Sequence, residues 1–179
     1  WMYLGGCAAL AACDLSICLA KNLGLSDCCP YDPETLTKKQ YVDFSMVMKP
    51  YIHPRMGGVA KVSLFTEGFG RYFNDRGFDV QFAVCPGESS FEEAEAFIRD
   101  ALKKNLPVPF LLLRHRDKSF KDLNWHWFMI TGYDVRNERS FLKYHTYGEE
   151  QEIDFERLWS TGMYRRGGMA AIQSIRQRV

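Results

Sequence analysis

Several absences narrow this sequence before any motif is read. No stretch reaches the roughly 18–20 uninterrupted apolar residues of a membrane span, which argues against a spanning helix. Neither charge dominates, with 23 Lys and Arg against 22 Asp and Glu. There is therefore no chain-wide basic footprint for nucleic acid and no acidic tail. The basic segment LLLRHRDKSFK is short and reads as a strand end and solvated loop. No CxxC pair occurs and the four histidines are scattered, so the usual zinc spacings are missing. Repeats and low-complexity tracts are lacking too. The expectation is a protein without metal, cofactor, nucleic-acid or membrane partner.

What is present suits a packed domain. The 179 residues are 46% apolar and 15% aromatic, too rich for disorder and long enough for one domain spanning 1–179. Residues 1–20 are apolar but lack a basic leading region and carry Asp14, so no signal peptide is read. A chain that opens on Trp is expected to have lost residues upstream. The six cysteines, Cys7, Cys13, Cys18, Cys28, Cys29 and Cys85, permit disulfides, but a chain of this size does not require them. Free thiols in a reducing cytoplasm are the default expectation.

Helices crowd the first half. An almost wholly apolar helix runs from about Cys7 to Leu23, with Gly24 as its stop. Thr37 with Gln40 forms a capping box for TKKQYVDFSMVMKPY, and Ser90 with Glu93 forms one for FEEAEAFIRDALKKN. Phe65, Phe69, Tyr72 and Phe73 fall at helical spacing before Gly77. Strands dominate the second half: FDVQFAV alternates with period two, PVPFLLLRHR follows prolines, and NWHWFMITGYDV and SFLKYHTYG flank the turn RNER. A short helix, DFERLWSTG, and a strand around GGMAAIQSI close the chain. The segregation predicts an α+β fold, an antiparallel sheet packed against a buried helix.

Two residues draw attention as chemistry. Cys7 follows Gly5 and Gly6 and opens the first helix, where unpaired N–H groups and the helix dipole favour thiolate over thiol. The same N–H groups suit a developing oxyanion. Buried packing is the alternative role for such a thiol. A nucleophilic cysteine needs a base, and His126 begins a strong strand between Trp125 and Trp127, aromatics read as walls that exclude water. His53, in a loop before proline, and His115, between Arg114 and Arg116, are weaker candidates.

GGCAALAAC resembles the GCGPTAAA-type opening of the papain-like cysteine peptidase superfamily, in its bacterial branch of bacteriocin-processing (double-glycine leader) peptidases. FEEAEAFIRDALKKNLPVPFLLL is similar to the helix and "PV" strand of that branch, and NWHWFMITGYD to its HWVVVTGYD histidine strand. The order of motifs covers nearly the whole chain, residues 25–62 matching least. The resemblance implies a papain-like fold and a Cys7–His126 pair acting on a peptide or other acyl substrate. It places Trp1 where the family has an oxyanion-donating glutamine, with Gly6, Trp125 and Trp127 around the substrate. The family's third residue, Asp or Asn, falls on Tyr144, His145 or Thr146, of which His145 and Thr146 are the candidates to hold the imidazole. Asp134 lies too far along the same strand. The alternative is a papain-fold module that binds peptides or regulates without catalysis.

Overall fold

A computed structural model describes residues 5–178. In chain order they form α1 (Cys7–Leu23), α2 (Lys38–Met48), α3 (Val62–Asn74), β1 (Phe78–Pro86), α4 (Phe91–Leu102), β2 (Val108–Leu112), β3 (His126–Arg136), β4 (Arg139–Thr146), β5 (Glu149–Asp154), α5 (Phe155–Trp159) and β6 (Gly167–Gln177). Short 3-10 turns lie at Ser26–Cys28 and Lys118–Leu123. The strands make one antiparallel sheet in the order β1-β6-β2-β3-β4-β5, so the class is α+β.

The helix limits follow local chemistry. α1 ends at Gly24, which takes the left-handed conformation at φ 68. Both capping boxes form: the Thr37 and Ser90 side chains accept from the backbone of Gln40 and Glu93, whose own side chains reach back. Asp14 interrupts the apolar circumference of α1. There it accepts a hydrogen bond from Tyr41 Oη at 2.8 Å, tying α1 to α2.

The sheet is covered on both faces. Leu15 and Leu19 of α1 and Phe65, Phe69 and Phe73 of α3 pack on one side, against Leu111, Trp127, Met129, Ala170 and Ile172. Ala94 and Ile98 of α4 and Phe155, Leu158 and Trp159 of α5 pack on the other, against Phe110, Phe128, Ile130, Leu142 and Met169. The expected sheet on a buried helix is therefore a three-layer arrangement. The central strands read as unbroken apolar runs because neither of their faces meets water. A bulge where β6 pairs with Gln81 and Phe82 inserts one residue, which keeps Ile175 on the same helical side as Ala170 and Ile172.

Gly68 of α3 lets that helix approach the end of α2. A Cβ there would stand 2.5 Å from the Tyr51 carbonyl oxygen and 2.7 Å from Ile52 Cγ1. Helix propensity favours alanine over glycine by about 1 kcal/mol, but overpacking costs about 1–3 kcal/mol. A backbone carbonyl cannot swing aside, so the clash wins. Gly68→Ala is expected to destabilise by about 1–2 kcal/mol. A urea midpoint that stays level or rises would refute this packing.

Candidate active site

Cys7 is the first residue of α1, after Gly6 at the helix cap, and no side chain caps that end. The chain before it is pressed by another loop. A Cβ on Gly5 would lie 2.8 Å from the Arg55 carbonyl oxygen, so the small residue is needed by the protein's own backbone. Around the half-buried thiol the backbone N–H groups of Trp127, Ala8 and Cys7 itself favour the thiolate. Burial outweighs them and pushes the thiol up.

His126 opens β3 and is 8% exposed. Burial pulls its imidazole down from 6.5 to about 4. Its Nε2 lies 2.6 Å from Thr146 Oγ1 at the end of β4. When Nε2–H donates to that hydroxyl, the Nδ1 lone pair is left to take a proton. The Phe128 ring lies beside both His126 and Tyr144, at 6.3 Å and 5.3 Å, which sets the phase of β4. Tyr144 and Thr146 share the face of His126, and His145 points the other way.

The two candidates for holding the imidazole thus separate. Thr146 bonds to it, whereas His145 is exposed with Nε2 3.1 Å from Glu150 Oε2. The two tryptophans separate as well. Trp127 is 2% exposed, stacks on Phe65 and donates its indole N–H to the Val59 carbonyl at 2.7 Å. Its backbone N–H, not its ring, is what favours the Cys7 thiolate. Trp125 stays at the rim, half-buried, with φ 57. Trp1 lies outside the described residues. Cys7 opens α1 and His126 opens β3, two elements that pack together, and among the described residues thiol and imidazole make no hydrogen bond to each other.

Tyr147 stands beside His126, and the sequence reading passed over it. Its ring lies parallel to the imidazole at 4.8 Å and 8°. Burial raises its phenol, as do the nearby Cys7 and Asp122. The visible signal was its place directly after Thr146 in the turn TYG. There it adopts φ 54 before Gly148, so the ring folds back over His126. Beyond it opens a cleft of about 720 Å³, lined by residues including Phe120, Asp122, Tyr144, Thr146, Tyr147 and Gln151. Cys7 and His126 are not among its walls.

The cysteines are all free. Cys13, Cys28, Cys29 and Cys85 are buried, and burial raises each thiol. No group of His, Cys, Asp and Glu among the described residues has the arrangement of a metal site. No helix among them is long and apolar enough to cross a membrane. Comparisons with family models, with curated proteins and with solved structures return no match.

Proposed function

We propose that the protein is a papain-like cysteine hydrolase or acyltransferase acting on an amide or thioester, with a peptide as its substrate. One observation supports the reading: a cysteine opens α1, the helix that packs on the strand whose first residue is an imidazole held at Nε2 by Thr146. In this mechanism His126 Nδ1 removes the thiol proton as Sγ attacks the substrate carbonyl carbon. The N–H groups that open α1 hold the oxyanion. As the carbonyl re-forms, the leaving amine or thiolate departs with the imidazolium proton. Water or an amine then attacks the acyl-enzyme, returning thiol and neutral imidazole.

The test is acylation by a short peptidyl p-nitrophenyl ester, followed by mass spectrometry of the intact and digested protein. One acyl group on Cys7, lost in Cys7→Ala, is the expected result. Label on Cys18, the other half-buried thiol of α1, or no label at all, would sink the reading. Thr146→Val removes the hydroxyl but keeps the shape. It is expected to slow acylation roughly 3–10-fold, the worth of one neutral hydrogen bond. An unchanged rate would mean that Thr146 does not hold the ring.

A second reading, a peptide-binding module without catalysis, is favoured by the raised thiol and by a hydroxyl, not a carboxylate, on Nε2. A hydroxyl stabilises an imidazolium less than an anion does. Peptide binding with no acyl group on Cys7 would select it.

A further inference from the structure

The rim beside His126 carries two guanidinium groups that converge on one ring. Arg114 Cζ lies 5.7 Å and Arg165 Cζ 5.8 Å from the centre of the Trp125 indole. The backbone fixes this meeting. Leu113 N–H donates to the Arg166 carbonyl at 3.0 Å, and Arg116 N–H to the Thr161 carbonyl at 2.8 Å. Trp125 N–H donates to the Leu113 carbonyl at 3.0 Å. Trp125 is held in the left-handed region, at φ 57, which costs a non-glycine residue roughly 1–3 kcal/mol. Strain of that size, one residue before His126, is expected where a side chain has been placed for a task.

Among the described residues neither arginine has a carboxylate partner. A single cation over the indole is enough to gain the ring's attraction. A second sets another like charge at the same ring, and the two repel. An anion between them relieves that repulsion and accepts the forked, charge-assisted bonds that guanidinium groups make. The cleft past Tyr147 is different in kind: its Glu152 and Asp154 are paired with Arg136 and Arg139, and Arg157 is also in its lining.

We propose that Arg114, Arg165 and the Trp125 ring form a carboxylate-binding subsite of the substrate groove, so that the acyl substrate is a peptide carrying a carboxylate near the bond that Cys7 attacks. This rests on the hydrolase reading above. Its test measures binding in Cys7→Ala protein, so no chemistry is needed. Calorimetry compares three short peptides: one with a Glu side chain and an amidated end, one with Gln and a free C-terminal carboxylate, and one with Gln and an amidated end.

At least one carboxylate peptide is expected to bind roughly tenfold or more tightly than the neutral one. The preference should shrink as salt is added and vanish in Arg114→Gln and Arg165→Gln. The tighter of the two carboxylate peptides tells side chain from chain end. Equal binding of all three, or a preference that survives both arginine substitutions, would overturn the subsite. The two proposals fail separately. Missing acylation of Cys7 defeats the hydrolase, whereas missing carboxylate preference defeats only the subsite.

Discussion

His126→Ala is expected to slow acylation of Cys7 by roughly 10²–10⁴-fold, the usual worth of a positioned general base. Burial keeps the thiol protonated at neutral pH, so attack needs a group to take its proton. Nothing nearby replaces the imidazole. His145 faces away and meets Glu150; His115 is engaged by the Arg157 carbonyl and the Asp117 N–H. The pH profile adds a second readout. Burial disfavours the charged ring, so His126 remains a neutral base until pH falls through about 4. The acid limb of the rate is therefore expected near 4, not near the 6.5 of an ordinary imidazole.

Stability carries the same signature. Unfolded, the ring binds a proton below 6.5; folded, it resists until about 4. The unfolded state thus holds more protons in that window, and stability falls as pH drops from 6.5 to 4. The loss is on the order of 2–3 kcal/mol after allowance for partial screening. His126→Gln, which keeps a side chain to meet Thr146, should flatten this dependence. A wild-type acid limb at 6–7 would refute the lowering of the imidazole by burial, and a His126→Ala rate within a few-fold of wild type would remove it from the mechanism.

How far the sequence reached depends on whether the signal was local. Capping boxes at Thr37 and Ser90 and the glycine stop after Leu23 are chemistry within a few residues, and the helices form there. β5 escaped because EEQEID has charge on both faces and no alternation to read. Its existence depends on pairing with β4 across the Tyr147–Gly148 turn. The second helical layer escaped for another reason. α4 was legible as a helix, but nothing in FEEAEAFIRDAL says which face of the sheet it covers. At the site, the types Cys7 and His126 were legible from their positions at element starts. The choice between His145 and Thr146 was not, because it depends on the phase of β4, set by Tyr144 packing on Phe128. Trp127, next to the histidine in sequence, looked like a wall of the site. Strand alternation sends its ring to the opposite face, into the core under α3.

That placement makes Trp127→Ala the substitution expected to cost most in stability, about 3–5 kcal/mol by loss of a buried indole. The ring stacks on Phe65 at 4.6 Å and 17°, so truncation opens a void between β3 and α3. It also leaves the Val59 carbonyl without its donor. Trp127→Phe separates these losses. It keeps an aromatic face for Phe65 but orphans the same carbonyl, at about 1–3 kcal/mol. Urea unfolding should therefore rank wild type, Phe and Ala in that order. Reactivity should not follow the ranking, since it is the backbone N–H of Trp127 that favours the Cys7 thiolate, and every substitution except proline retains it. Acylation in Trp127→Phe is expected to fall far less than in His126→Ala. Should the two variants slow acylation equally, the indole itself acts in the chemistry, and the aromatic wall read from NWHWFMITGYD stands after all.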